Sequence, residues 1–177
     1  VTPGEYRKHP SIIPLFRRVT LIEPPKKEGI IMQPKMETYQ FMLVGLEAEI
    51  DMGSDFSAAV TSLSDMLTKL LPGIPHVARS ARTINFWYPR FKDEAPMTSE
   101  PKTIFFTGVE VTSLSDVPES MCAKDLPESL FAVFLETRRG TVNGPEGYAY
   151  QTWLPASGYK LNEQLPGDFE VYIDTLH

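Results

Sequence analysis

Residues 41–71 read FMLVGLEAEIDMGSDFSAAVTSLSDMLTKLL, and in them a strand-like run passes into an amphipathic helix. The apolar residues between Thr38 and Ile50 predict a strand. From Asp55 to Leu71, apolar side chains recur at three- and four-residue steps, which is the period of an α-helix. Pro72 and Gly73 follow, and both residue types are helix terminators. A strand followed by a helix is therefore the first unit of the predicted fold.

Four more strand candidates and a second helix candidate follow this unit. The first three strands are predicted over Thr83–Tyr88, Thr103–Thr112 and Ser129–Thr137. A short helix over Tyr148–Leu154 and a strand over Phe169–Ile173 complete the pattern. Because the strand, helix, strand order occurs twice, the sequence predicts an α+β domain. Its core would be an internally duplicated antiparallel β-sheet with one helix per repeat.

The first 34 residues divide into a capped helix start and an arm. Thr2, Pro3 and Glu5 fit an N-cap, a first helical position and a residue three places after the cap. From His9 to Gln33 the sequence is rich in Pro and has no sustained period, which indicates an arm or linker. Two apolar runs within the arm are still able to pack on the domain: Pro14–Phe16 and Val19–Ile22. We therefore assign 1–34 to the end of a removed domain plus a linker arm, and 35–177 to the main domain.

Composition narrows the class of protein. The chain has 177 residues, of which 42% are apolar and 23% charged, as in a globular domain with a buried core. The net charge of -6 argues against nucleic-acid binding by this part, since phosphate contacts need clustered Lys and Arg. The sequence contains no membrane-spanning run and no signal peptide, which predicts a cytoplasmic protein. Cys122 is the single cysteine, so it is either an inert small residue or a reactive thiol.

The sequence contains no recognisable catalytic or cofactor motif. It lacks a His, Cys and Asp cluster at metal-ligand spacing, a phosphate-binding glycine loop and a G-x-S-x-G nucleophile motif. Ser157 has no visible base beside it, and His76 is a lone histidine in a predicted loop. We therefore expect no metal, no cofactor and no enzymatic activity.

Four stretches resemble the GyrI-like effector-binding domain, which occurs alone and fused to AraC-type or MerR-type DNA-binding domains. They are FMLVGLEAEI at 41–50, IFFTGVEVTSLSDVPE at 104–119, AVFLETRRG at 132–140, and WLPASGYKL with GDFEVY at 153–172. The opening VTPGEYRKH resembles the end of an AraC-type helix-turn-helix domain. The resemblance implies a sheet that curves around a ligand cleft. It also implies a small-molecule sensor domain of a bacterial AraC-type transcription regulator.

Glu170 is the expected charged residue of that cleft. It lies between Phe169 and Val171 in an apolar strand, where an unpaired buried carboxylate is costly. Strand alternation alone leaves two orientations open, toward the interior or toward solvent. In the family that the chain resembles, the Glu of F-E-x-Y faces the pocket and meets cationic, often aromatic, ligands. The resemblance also implies an alternative, a hydrolase of reactive cyclopropane-type compounds in which Glu170 is the general acid or base.

Aromatic side chains supply the second part of the expected pocket, because rings attract flat cations by stacking and cation–π contacts. Together with Glu170, we predict that four of them bind the ligand: Trp87, Phe105, Tyr150 and Tyr172. Trp153 is expected to be a structural plug of the W-L-P turn instead. Glu136, which is close to Arg138 and Arg139, is expected to be solvated or ion-paired.

The expected partner is a small-molecule effector, with DNA contacted only through a missing helix-turn-helix domain. A third hypothesis is a module whose groove binds another protein. Its sign would be a large exposed apolar patch. The sequence leaves the identity of the effector and the oligomeric state open.

Overall fold

The computed structural model describes residues 11–18, 34–51, 56–79, 82–89, 102–136, 148–162, 165 and 168–172. The strands and α-helices among them are β1 (Ser11–Arg18), β2 (Lys35–Asp51), α1 (Phe56–Leu70), β3 (Thr83–Pro89), β4 (Lys102–Glu110), β5 (Cys122–Glu136), α2 (Leu154–Ser157), β6 (Lys160–Leu161) and β7 (Asp168–Tyr172). The chain divides into two compact units. We call Phe41–Leu126 the central unit, and Val1–Gln40 with Pro127–His177 the terminal unit.

The sheet of the central unit is antiparallel around β4. On one side, β4 pairs with β2 from Leu43 opposite Glu110 to Asp51 opposite Lys102. On its other side, β4 pairs with β3 from Thr83 opposite Val109 to Pro89 opposite Thr103. The predicted strands over these residues are therefore confirmed, each with small differences at its ends.

Helix α1 covers one face of this sheet. Leu67 on the helix packs with Val44 and Val109 of the sheet in one apolar cluster. Since side chains alternate along a strand, the residues two and four positions before Val109, Thr107 and Phe105, share its face. We call this side the helix face of the sheet. The predicted helix over Asp55–Leu71 is confirmed, and the chain leaves it through a 3₁₀ turn over Leu71–Gly73 that contains Pro72.

The terminal unit is organised around β1. This strand runs parallel to β5, with Ile13 opposite Phe131, and parallel to β7, with Leu15 opposite Phe169. It also pairs in parallel with β6 through Ser11 and Lys160. Part of the predicted arm is therefore a strand. This strand includes Pro14–Phe16, one of the two apolar runs that the sequence analysis regarded as able to pack on the domain. These parallel pairings differ from the antiparallel sheet that the sequence predicts, because β1 is contributed from outside the two predicted repeats.

The short helix of the terminal unit is built differently from α1. The predicted helix over Tyr148–Leu154 is observed as a π-helical turn over Ala149–Trp153 that continues into α2. Gly158 ends it in the left-handed conformation, at φ 76°. Trp153 stacks on Tyr159 with ring centroids 5.9 Å apart and meets Phe134 edge-on at 5.5 Å. These contacts are those expected of the structural plug.

The α+β class is confirmed, whereas a duplication is not evident among the described elements. Helix α1 has 15 residues, but α2 has four after a five-residue π turn. The strand after α2, β6, has two residues, whereas β3 after α1 has seven. The predicted helix start at Thr2 and the run Val19–Ile22 lie outside the described residues. In the part of the chain that the structure describes, no helix is both long and apolar enough to cross a membrane.

Candidate functional site

Glu170 is a buried carboxylate on β7. Its exposed fraction is 6%, and the flanking Phe169 and Val171 are fully buried. The alternative that Glu170 faces solvent is therefore wrong. The hydroxyl of Tyr172 donates a hydrogen bond to Oε2 of Glu170 at 2.7 Å. A buried carboxylate is costly unless it accepts hydrogen bonds, and a bond of this length to a charged oxygen offsets part of that cost.

The two faces of β7 have different chemistry. Glu170 and Tyr172 are two positions apart in the strand, so they share a face. The opposite face carries Phe169, which contacts Phe131 edge-on with ring centroids 5.5 Å apart. Phe131 in turn meets Tyr39 at 5.7 Å. One face of β7 thus joins an aromatic core, and the other presents a carboxylate held by a phenol.

Tyr150 lies in the same unit as Glu170 and Tyr172, on the π-helical turn. Its side chain is half-buried. The neighbouring Ala149 is fully buried in a cluster with Phe134, and this anchors the turn on the sheet. The side chain of Glu136, which was expected to be solvated or ion-paired, lies outside the described residues.

Trp87 and Phe105 are brought together in the central unit. They stand opposite each other on β3 and β4, with ring centroids 5.0 Å apart and planes inclined by 31°. Phe56, the first residue of α1, meets Trp87 edge-on at 5.7 Å. Phe105 is fully buried, whereas Trp87 is half-buried. The pair forms an aromatic wall on the helix face, and Trp87 is its more exposed member.

Two polar residues lie beside this wall that the sequence analysis did not single out. Asn85 and Thr107 stand opposite each other, two positions along the strands from Trp87 and Phe105. Their exposed fractions are 6% and 0%, and Asn85 Oδ1 and Thr107 Oγ1 have no hydrogen-bond partner among the described residues. The sequence signal that could have identified them is a polar residue inside each of two apolar runs, TINFW and IFFTGV.

Two other carboxylates of the central unit already have cationic partners. Arg82 donates to Oε2 of Glu110 from Nε at 3.0 Å and from Nη2 at 2.8 Å. Lys124 Nζ lies 2.6 Å from Oε2 of Glu47. Because these pairs are internal, neither carboxylate is positioned to select a charged ligand.

Ser157 and Cys122 carry the hydroxyl and thiol groups that the sequence analysis considered as nucleophiles, and both have structural surroundings. The Ser157 hydroxyl donates to the Leu154 carbonyl at 2.8 Å and accepts from the Tyr159 N–H at 3.1 Å, so it stabilises the turn after α2. Burial, with the charge of Glu47, raises the pKa of the Cys122 thiol, and Lys124 lowers it in part. A raised pKa keeps the thiol protonated at neutral pH, which favours the inert alternative for Cys122.

An open depression of about 660 Å³ runs along the exposed face of α1 and contains none of the five predicted site residues. Its lining consists of Ser57, Ala58, Thr61, Ser62, Asp65, Met66 and Lys69. This lining offers no aromatic ring for stacking. Within the described ranges, no group of three or more His, Cys, Asp or Glu side chains is placed to hold a metal ion.

Comparison with known proteins gives one family. Residues 36–177 match Cass2, described as integron-associated effector binding protein. No curated protein and no solved structure shows significant similarity to the chain. The matched residues include β2 without its first residue, β3 to β7 and all five predicted site residues.

Proposed function

The chain belongs to the Cass2 family of integron-associated effector binding proteins, and from this premise we propose that its effector is a flat aromatic cation. The observation that carries the proposal is the buried carboxylate of Glu170. The carboxylate is held by the Tyr172 hydroxyl within a strand whose neighbouring residues are fully buried.

Charge selection by Glu170 follows from the cost of burying an ion. A carboxylate taken out of water loses its hydration, which is costly even where hydrogen bonds replace part of it. A cation that binds beside the carboxylate adds a charge–charge attraction, whereas a neutral compound of the same shape does not. The carboxylate therefore favours positively charged effectors over their neutral analogues.

Aromatic contacts are the second part of the proposal. In the terminal unit, Tyr172 and Tyr150 are half-buried rings on β7 and on the π-helical turn. In the central unit, the Trp87–Phe105 pair is the proposed stacking surface. Rings attract cations through their negative faces and flat molecules through stacking. These contacts select compounds that combine a positive charge with an aromatic body.

We further propose that the chain is the sensor of an AraC-type transcription regulator. The support is the sequence VTPGEYRKH at residues 1–9, which resembles the end of an AraC-type helix-turn-helix domain. An effector would then change DNA binding by a coupling free energy of about 1–3 kcal/mol, the usual range for such linkage. A gel-shift titration of the natural full-length protein on its operator, with and without effector, tests this step.

Isothermal titration calorimetry with two probes tests the charge selection. The probes are 1-methylquinolinium, a cation, and quinoline, which is uncharged at neutral pH. We expect the wild-type protein to bind the cation at least about tenfold more tightly, which corresponds to about 1.4 kcal/mol. Glu170→Gln should lose this preference, and the matched control Glu128→Gln, an exposed carboxylate of the same unit, should keep it.

Equal binding of the two probes by the wild-type protein, or an unchanged preference in Glu170→Gln, contradicts the proposal. The same samples separate sensing from hydrolysis. A sensor returns the probe chemically unchanged after overnight incubation, as judged by mass spectrometry, whereas a hydrolase consumes its substrate.

A further inference from the structure

The central unit contains a buried polar pair that no contact among the described residues satisfies. Asn85 Oδ1 and Thr107 Oγ1 lie on neighbouring strands, opposite each other, and neither has a hydrogen-bond partner in the part of the chain that the structure describes. Buried polar atoms are paired in the great majority of cases, because an unpaired one keeps the full cost of its lost hydration. Two such atoms in one register pair therefore indicate a partner that binds there.

Both side chains point to the helix face. Thr107 is two positions from Val109, which packs against Leu67 of α1, and directly opposed residues of antiparallel strands share a face. Two hydroxyls of α1 are already engaged within the helix. Ser64 donates to the Val60 carbonyl at 2.9 Å, and Thr68 donates to the Ser64 carbonyl at 3.0 Å.

The polar pair adjoins the aromatic wall. Trp87 and Phe105 form the neighbouring same-face row of the two strands, two residues along from Asn85 and Thr107. At about 3.4 Å per residue, two positions correspond to roughly 7 Å. A fused-ring compound stacked on the wall therefore carries a ring substituent to the position of the polar pair. Trp87 is half-buried, so the wall has a partly exposed end.

We propose that Asn85 and Thr107 form a hydrogen-bonding subsite for the effector, with Asn85 Oδ1 accepting and Thr107 Oγ1 accepting or donating. The subsite selects aromatic compounds that bear a hydroxyl or amide group. This group lies at the end of the ring system that reaches Asn85 and Thr107, away from the exposed edge of Trp87. This inference rests on the proposed function, since it assigns part of the specificity of effector binding to the helix face of the central unit.

A matched pair of probes tests the subsite by calorimetry: 6-(hydroxymethyl)-1-methylquinolinium and 6-ethyl-1-methylquinolinium. They share charge, ring system and number of non-hydrogen atoms, and they differ in a hydroxyl group in place of a methyl group. We expect the wild-type protein to bind the alcohol about tenfold more tightly than the ethyl compound, as one buried hydrogen bond allows. In Thr107→Val and in Asn85→Leu the ratio should fall to about one or below. Thr112→Val, which removes a hydroxyl bonded to the His76 carbonyl at 3.2 Å, should keep the ratio.

Two results overturn the subsite while leaving the proposed function intact. One is tight binding of both probes at equal affinity by the wild-type protein, and the other is an unchanged ratio in Thr107→Val. If neither quinolinium binds the wild-type protein at all, the proposed function fails instead.

The melting temperature of the ligand-free variants provides a second readout. An unpaired buried hydroxyl is replaced by a methyl group of similar size without loss, so Thr107→Val should melt at or above the wild-type temperature. A fall of several degrees would show that the hydroxyl already has a partner, such as a permanently bound water, and would overturn the inference.

Discussion

In the terminal unit, the buried carboxylate of Glu170 accepts a hydrogen bond from the hydroxyl of Tyr172. The phenol holds the carboxylate oxygen at 2.7 Å on a strand face where an exposed fraction of 6% leaves little access to water. A carboxylate that is costly to bury is suited to respond to a cation that binds beside it. The residue type and its neighbours were sufficient to raise this possibility. Alternation alone left the direction of the side chain open, and the structure resolves it.

Asn85 and Thr107 show what the sequence analysis did not reach at the residue scale. A polar residue inside an apolar run occurs wherever a strand exposes one face to solvent. Only the register between β3 and β4 places these two opposite each other, and only their burial in the folded chain makes their oxygen atoms costly. Both facts depend on contacts between residues that are distant in sequence.

Cys122 provides a test of the charges beside β2 and β5. Burial and Glu47 raise the pKa of its thiol, and Lys124 offsets part of this effect. The thiolate is the reactive form, so a higher pKa means slower alkylation at a fixed pH. We predict that iodoacetamide modifies Cys122 in the folded protein several-fold more slowly at pH 8 than in urea. Glu47→Gln should speed the folded-state reaction, and Lys124→Met should slow it.

Intact-mass spectrometry of timed samples measures these rates. The same variants in urea serve as controls, because the charge effects require the folded arrangement. Alkylation of the folded wild-type protein at the unfolded rate would contradict the account of Cys122.

At the scale of elements, local signals explain which boundaries were predictable. The end of α1 was found to within one residue because Pro72 and Gly73 stop a helix wherever they occur. The strand β5 begins at Cys122, seven residues before the predicted start at Ser129. The intervening residues CAKDLPE include three charged residues and a proline, which are uncommon in strands, so their pattern did not predict one. The π-helical turn before α2 has no sequence signature of its own, as its hydrogen bonding follows from packing around Trp153 and Phe134.

Two glycines are required for different physical reasons. Gly45 on β2 faces Gly108 on β4, and a Cβ on Gly45 would overlap the Thr107 carbonyl oxygen and lie 2.5 Å from the Gly108 Cα. Both of these atoms belong to the backbone of β4, so no side-chain rotation can relieve the overlap. Gly158 instead has open space around it but a φ of 76°, a conformation that costs other residues free energy.

We predict that Gly45→Ala lowers the free energy of unfolding by about 3 kcal/mol or more, as expected for overpacking against fixed backbone. Gly158→Ala should cost only about 1–2 kcal/mol, the left-handed backbone penalty. Urea unfolding followed by circular dichroism measures both. Gly73→Ala, where nothing lies near the added methyl group, is the control. A Gly45→Ala variant as stable as Gly73→Ala would show that β2 and β4 do not approach so closely.

At the scale of the whole molecule, the α+β class and the effector-binding class of function were predictable from the sequence. The family match over 36–177 supports the same functional class. The predicted duplication relied on the order of strands and helices along the chain. That order is the same whether or not the corresponding elements have equal lengths. The two helices differ greatly in length, and β1 pairs in parallel from a segment that was predicted to be an arm.

The central claim is that the folded chain binds an aromatic cation through Glu170, and thermal unfolding of the whole chain tests it most directly. A ligand at about a hundred times its dissociation constant adds about 2.7 kcal/mol of stability. At roughly 2–4 °C per kcal/mol for a domain of this size, we expect a rise of about 5–10 °C with a saturating aromatic cation. At the same concentration, the rise should be about half as large or smaller with the neutral analogue, and it should be reduced to that level for the cation in Glu170→Gln. No rise with any member of a panel of aromatic cations, or an equal rise in Glu170→Gln, would contradict it.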